Sequence, residues 1–318
     1  MPYRRCGRSG VLLPEISLGL WHNFGGGDDP AACRAMIAES LELGICHFDL
    51  ADNYGPPPGS AEQRFGELLA SDFGAHRDEM FISTKAGHLM WPGPYGDWGS
   101  RKHLLSGLDQ SLRRMKLDYV DVFYSHRPDP ETPIEETVGA LVQAVRSGKA
   151  LYAGLSKYPP EQFNRACDLL AEEKVPCLIH QYRYNLLDRS CEAGMLPDTA
   201  QRQIGSIVFS PLAQGMLTGK YLGGTLPTDS RAQRADSPFL NAERVAGDAA
   251  RVSRLAALAA EAGIPLTQLA LRWLLSKPAI TSVLIGARNV GQLRDCAAAA
   301  GQPPLPSDLL AALDQATA

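Results

Sequence analysis

Asp49, Tyr54, Lys85 and His126 combine reactive chemistry with a shared place in the sequence pattern. Each stands at, or just beyond, the end of a short apolar run. Asp49 closes the run in "HFDL", and Tyr54 follows in "ADNYGPPPG". Lys85 ends "FISTK" and His126 ends "DVFYSH"; Ser156, Gln181 and Ser210 hold comparable places in "GLS", "LIHQY" and "VFS". A tyrosine near pKa 10 is a poor acid at neutral pH, and an adjacent ammonium stabilises the phenolate and lowers that value. Asp49 would keep Lys85 charged and oriented. His126 would donate to, or orient, a carbonyl oxygen. Such a set protonates an alkoxide as it forms, so its natural partner is a hydride donor.

For these residues to meet, strand ends must converge. Eight β-rich runs occur in series: "EISLGLW", "CHFDL", "MFISTKA", "YVDVFYSH", "ALYAGLS", "PCLIHQY", "GSIVFSP" and "TSVLIGA". Helical spacing separates them, over Ala31–Leu43, Ala61–Ala70, Arg101–Met115, Ile134–Arg146, Pro160–Glu172, Arg251–Ala262 and Leu266–Leu275. Alternation of this kind implies βαβ units and a parallel sheet, and eight units favour a closed (β/α)8 TIM barrel over an open sheet. The carboxyl ends of its strands share one mouth. "TPIEET" predicts Thr132 as an N-cap with Pro133 at the first helical position, and Gly148 is expected just past a helix end. "YRRCGRSGVLLPEI" reads as a short hairpin sealing the barrel bottom. Residues His88–Ser100 and Pro211–Asp248 read as long loops on the catalytic face. The whole chain, 1–318, reads as one barrel domain.

Bulk composition narrows the function. A net charge of −4 and a pI near 6.0 argue against nucleic acid and against an anionic membrane surface. No apolar run is long enough to span a bilayer, and no signal peptide is evident, so a cytoplasmic protein is expected. The seven cysteines are scattered without a Cys-x-x-Cys pair, which indicates neither a disulfide framework nor a zinc site. Asp49 and Asp52 look like a metal-binding pair, but no His and carboxylate ligands accompany them at useful spacing. Asp52 is expected to be a polar loop residue without a catalytic role. His47 and His180 lie within strands and read as buried structural groups or second-layer partners.

Each of the four reactive residues has an ordinary reading when taken alone. Asp49 could cap a turn, Tyr54 could be a packed aromatic and His126 a satisfied core histidine. Lys85 is harder to explain that way, because a lysine closing an apolar strand is costly to bury unpaired.

In order along the chain, "GICHFDLADNYG", "FISTKAG", "YVDVFYSHRPD", "GKALYAGLSKY", "QYRYNLL", "FSPLAQGMLTGKY" and "SVLIGARNVGQL" resemble the motifs of the aldo-keto reductases. "LGLWHNFGGG" and "MWPGPYGDWGSRKHLL" are similar to a subgroup holding bacterial L-glyceraldehyde 3-phosphate reductases and the β subunits of voltage-gated potassium channels. The resemblance implies Tyr54 as general acid, with Asp49, Lys85 and His126 completing a tetrad. It also implies NADPH bound across the barrel mouth without a Rossmann fingerprint, and the chain contains no G-x-G-x-x-G. By matching position, Trp21 and Asp49 lie near the nicotinamide ribose, Ser156 and Gln181 meet the carboxamide, and Phe209 stacks on the ring. Ser210, Pro211, Leu212, Gln214, Gly215, Lys220 and Arg231 line the pyrophosphate. Gly286, Arg288, Gln292 and Asp295 surround the adenosine. Arg288 and Lys220 suit a 2′-phosphate.

Three positions depart from the pattern, and at one of them Phe209 replaces the Trp of the channel β subunits. Lys157 stands where Asn often follows the Ser of G-x-S-N, and Cys296 stands where Asn often follows the acidic residue of the adenosine site. The implied activity is reduction of a small carbonyl substrate such as glyceraldehyde 3-phosphate or methylglyoxal. The alternative is a cofactor-sensing regulatory subunit with little catalysis. His22 and Trp91 are candidates for touching substrate. Arg101 opens a helix against the helix dipole, which suggests a phosphate held at that helix start. The sequence is compatible with a homo-oligomer.

Overall fold

The computed structural model describes residues 1–222, 226 and 240–317. Eight parallel strands close into a barrel in the order β10-β3-β4-β5-β6-β7-β8-β9. They are β3 (Ile16–Gly19), β4 (His47–Asp49), β5 (Phe81–Ala86), β6 (Val120–Ser125), β7 (Ala150–Ser156), β8 (Cys177–Arg183), β9 (Gly205–Phe209) and β10 (Ser282–Ile285). Every one of the eight expected runs supplies one strand. An antiparallel pair, β1 (Tyr3–Arg5) and β2 (Leu12–Pro14), precedes the barrel.

The hairpin closes the barrel bottom for two reasons. Leu13, Cys6 and Val11 are buried in one cluster with the inward-facing Val122, Tyr124, Ile179 and Ile207. Arg4 also donates to Glu15 at 2.6 Å, and to the carbonyls of Leu275 and Ile280. Inside the barrel the Tyr124 ring fills space left by Gly154, its register partner, where a Cβ would come within 2.6 Å of the ring. The opposite strand faces, including Ile16, Leu18, Phe48, Ile82, Phe123, Leu155 and Val208, pack under the helices in the larger core.

The helices are α1 (Pro30–Glu42), α2 (Ser60–Leu68), α3 (Arg101–Met115), α4 (Ile134–Arg146), α5 (Pro160–Glu172), α6 (Met195–Arg202), α7 (Ala242–Glu261), α8 (Leu266–Leu275), α9 (Val290–Ala297) and α10 (Ser307–Thr317). Side-chain caps fix several starts: Asp29 accepts from the N–H of Ala31, Ser100 from His103, Asn241 from Arg244 and Asn289 from Gln292. Among the described residues no helix is long and apolar enough to cross a membrane.

The sequence reading needs correction in three places. The α4 cap is Pro133 rather than Thr132, because the Asp129 carboxylate takes the N–H groups of Glu131 and Thr132 and turns the chain one residue later. Helix α7 begins at Ala242, inside the segment expected to be loop, where Asn241 caps it and Val245 and Val252 bury one face. Helices α6, α9 and α10 were not expected. Gly148 does take a left-handed φ of 74° past the end of α4, as its position predicts.

Candidate active site

Barrel register sets the layer in which the site forms. Gly19 pairs with Asp49, and Asp49 with Ser83, so Asp49 sits level with Ser83. Lys85 lies two residues beyond Ser83, on the same inward face of its strand. The three donors of the Lys85 ammonium are all used. It donates to Asp49 Oδ2 at 2.6 Å, to the Leu50 carbonyl at 2.6 Å and to the Tyr54 hydroxyl oxygen at 3.1 Å. Lys85 and Asp49 are fully buried. Asp49 Oδ1 accepts from Ser83 Oγ at 2.7 Å and from Gln181 Nε2 at 3.1 Å. Behind them the chain continues. Ser83 meets His47 Nε2 at 3.1 Å, His47 Nδ1 meets Ser17 at 2.9 Å, and Ser17 meets Ser282 at 2.6 Å. Hydrogen bonds therefore run without a break from the barrel bottom to Tyr54, and His47 is a buried partner behind Asp49. His180 is likewise buried, and its Nε2 accepts the Tyr158 N–H.

Local electrostatics follow from burial. Burial opposes the charge on Lys85, but Asp49 and Tyr54 outweigh it and raise the ammonium pKa. Burial also raises the Tyr54 pKa above its ordinary value, and the opposing pull of Lys85 does not reverse this. The sequence reading weighed the ammonium alone, so its expected lowering is corrected: in the folded site Tyr54 is a protonated phenol at neutral pH. His126 is driven well below the usual imidazole range by burial and then by Lys157, Lys85, His88 and Arg127, so its ring is neutral. It packs edge-on to Tyr54, with ring centroids 5.9 Å apart, and to His88 at 4.4 Å. Among the described residues His126 Nδ1 has no hydrogen-bond partner.

A cavity of about 1430 Å³ opens over this group and runs along the mouth. Trp21, His22, Asp49, Tyr54, His126, Gln181 and Phe209 line it. Ser210, Pro211, Leu212, Gln214, Gly215 and Lys220 form part of its wall, and Gly286, Arg288, Gln292 and Asp295 line it too. That wall carries left-handed backbone at Ser210 (φ 55°), Ala213 (φ 47°) and Gln214 (φ 61°), a conformation costly outside glycine and concentrated at sites. Ser156 is fully buried at the end of β7, level with Gln181; it does not line the cavity, and its Oγ has no hydrogen-bond partner among the described residues.

The profile of the aldo/keto reductase family matches residues 15–318. The chain belongs to the aldo/keto reductase family. It is 52% identical over 319 residues to a protein named L-glyceraldehyde 3-phosphate reductase from Escherichia coli (strain K12), covering 99% of this chain and 92% of that one. It is 37% identical over 298 residues to a probable voltage-gated potassium channel subunit beta of Oryza sativa subsp. japonica, covering 92% and 89% of the two chains. A protein of the same name from Arabidopsis thaliana is 37% identical over 302 residues, covering 93% and 90%. The chain is thus an oxidoreductase of the aldo-keto reductase type.

Not every residue singled out in this aldo-keto reductase reaches the cavity. Trp91 packs on His103, with ring centroids 5.0 Å apart, and does not line it. Arg101 is exposed; its N–H goes to Glu136 and its guanidinium reaches Gln143 on α4, so this helix start faces away from the mouth. Arg231 lies outside the described residues. Asp52 lies on the loop after β4 but is fully buried, packs towards Gly107 of α3, and neither carboxyl oxygen has a partner among the described residues. Burial, then Glu62, raises its pKa well above the carboxylate range. Among the cavity residues not singled out from the sequence as site residues are His88, Lys157 and Arg183. Each follows or ends a barrel strand, and that rule, applied throughout, would have found them. The proline loop is clasped by the first barrel loop, where Gly26 N–H donates to the Pro56 carbonyl and a Cβ on Gly25 would meet that oxygen at 2.5 Å.

Proposed function

We propose that this protein, acting as one barrel domain over residues 1–318, reduces short aldehydes to alcohols with NADPH, and that Tyr54 is the proton donor. The observation carrying this reading is the Tyr54 hydroxyl held 3.1 Å from the Lys85 ammonium in the wall of a large cavity. The residues present fit the cofactor. The unpartnered buried Ser156 Oγ beside Gln181 suits a carboxamide, the Phe209 ring lines the cavity, and Lys220 and Arg288 add cations to its lining. When bound, NADPH supplies the hydride.

The protein's own part is to place and to protonate. Trp21 and Phe209 would bracket the reacting end, while Ser156 and Gln181 orient it. The substrate carbonyl oxygen would sit between the Tyr54 hydroxyl and the His126 ring. A neutral imidazole can donate one hydrogen bond there without competing for the proton. As negative charge develops on that oxygen, Lys85 stabilises it through Tyr54, whose proton moves to the nascent alkoxide. Asp49 holds the ammonium in line, and Ser83, Gln181 and His47 hold Asp49. His22 also lines the cavity. The E. coli relative bears the name of an L-glyceraldehyde 3-phosphate reductase, which makes a three-carbon aldehyde the first substrate to try; methylglyoxal is the second.

The test is Tyr54→Phe, assayed by loss of NADPH absorbance with each aldehyde and by fluorescence titration of NADPH. Reduction should fall to background with cofactor affinity retained. Retained turnover would overturn the assignment of Tyr54. A wild-type protein that binds NADPH tightly yet oxidises none would favour a cofactor-sensing role.

A further inference from the structure

Lys157 and Arg183 both line the cavity, and of the two only Arg183 has a carboxylate nearby among the described residues, at 3.8 Å. Lys157 sits in a left-handed turn (φ 61°) directly after β7. Its Nζ lies 3.4 Å from His88 Nε2 and 6.0 Å from the centre of the Phe209 ring. Arg183, the last residue of β8, brings its Cζ to 5.8 Å from the same ring. All four residues line the cavity. The cluster adjoins the reacting group, because the His88 ring packs on His126 and the His126 ring on Tyr54.

Neighbouring cations are already paired. Lys85 is held by Asp49 at 2.6 Å, and Arg127 by Asp97 at 2.6 Å. Lys157 has no carboxylate partner among the described residues. Arg183 forms a long ion pair with Asp188, at 3.8 Å, and Asp188 also lines the cavity. Crowding by the cavity wall, with Lys85, Arg127 and Arg183 nearby, lowers the Lys157 pKa to about 8, although its side chain still meets solvent in the open mouth. His88 is neutral at pH 7, its pKa lowered to about 4 by burial and then by Lys157, so it offers a hydrogen bond rather than a charge. One cation without a carboxylate, a second held only by a long ion pair, and one imidazole around one opening suit an oxyanion better than a neutral group.

We propose that Lys157, Arg183 and His88 form an anion subsite that holds the phosphate of a short phosphorylated aldehyde while its carbonyl faces Tyr54. This rests on the reductase reading above and adds to it the residues that select the substrate. It places the anion on the strand ends of β7 and β8 rather than at Arg101.

Two measurements test it. The first is kcat/KM for glyceraldehyde 3-phosphate and for unphosphorylated glyceraldehyde, with saturating NADPH, in wild type, Lys157→Met, Lys157→Arg and Arg183→Met. Each Met variant should lose about tenfold to a hundredfold on the phosphorylated aldehyde, the equivalent of one charge-assisted hydrogen bond, and little on the other. Lys157→Arg should keep most of the preference. The second is calorimetric binding of inorganic phosphate to the NADP-loaded protein, which requires no turnover, and it should weaken in both Met variants. Equal losses on the two aldehydes, phosphate binding unchanged in the variants, or a weakened NADPH affinity that explains the loss, would overturn the subsite. If wild type reduces neither aldehyde yet its phosphate binding depends on Lys157, the subsite stands and the reductase reading falls.

Discussion

Replacing Lys85 with Met separates the energetic role of this residue from its chemical one. The Met side chain retains most of the buried stem and removes the ammonium, together with its bonds to Asp49, Leu50 and Tyr54. Asp49 is then a buried carboxylate without its cation. Breaking a buried pair from one side costs about 3–5 kcal/mol. Asp49 still keeps Ser83 Oγ at 2.7 Å and Gln181 Nε2 at 3.1 Å, so the low end, about 3 kcal/mol, is expected here. Urea denaturation of Lys85→Met, read as a change in midpoint at constant slope, measures that loss. The double variant Asp49→Asn/Lys85→Met removes both charges and should recover about 2 kcal/mol of it, since contacting residues couple by roughly 0.5–3 kcal/mol. Activity should behave differently. Both variants should lose about 10²–10⁴-fold in kcat, the range of a positioned acid–base and charge-stabilising group, and the double variant should regain none. The reasoning fails if the double variant is no more stable than the single one, because an uncompensated carboxylate is then not the cause. It fails equally if Lys85→Met keeps near-normal kcat.

Four further outcomes follow. The raised Tyr54 pKa and neutral His126 mean that neither group changes charge between about pH 6 and 8, so efficiency on an unphosphorylated aldehyde should be flat there, fall as pH rises through the Tyr54 pKa, and give way to faster alcohol oxidation; a break near neutrality in that pH–rate profile would count against this. Asp52 holds its proton more tightly when folded, so its contribution to stability is full below the unfolded carboxyl pKa and is lost as pH rises towards the folded one; Asp52→Asn should therefore be more stable than wild type near pH 7, with the gap closing near pH 4, as urea midpoints at the two pH values would show. The buried Glu62 accepts from Thr84 at 2.5 Å and from Arg114 at 2.7 Å, so Arg114→Met should cost about 3 kcal/mol in chemical denaturation, and an unchanged midpoint would refute the pairing. A Cβ on Gly66 would lie 2.5 Å from the Arg114 carbonyl oxygen, so Gly66→Ala should push α2 from α3 and lower stability by about 1–3 kcal/mol in the same assay.

The sequence determined the architecture because the barrel is built from local signals. Eight apolar runs rich in β formers, each followed by a helical period, admit few arrangements, and the parallel barrel sends every strand's carboxyl end to one mouth. Asp49, Lys85 and His126 could be picked out by that rule alone, with Tyr54 on the loop beyond Asp49. Helices α6, α9 and α10 were less legible because they are short or follow no clear apolar period, and the start of α7 was hidden by a polar stretch until the Asn241 cap revealed it. Tertiary structure alone decided what each side chain faces. The Tyr54 ammonium neighbour was evident in the sequence pattern, but the burial that outweighs it was not. Asp52 reads as a loop residue until α3 covers it. Arg101 looks like an anion site until its helix start is seen turned towards α4. Lys157, His88 and Arg183 come from the ends of three different strands, and only barrel closure and register bring their charges around one opening. Pattern along a chain fixes which backbone positions share a face; desolvation and charge depend on distances across the fold, which no local pattern encodes.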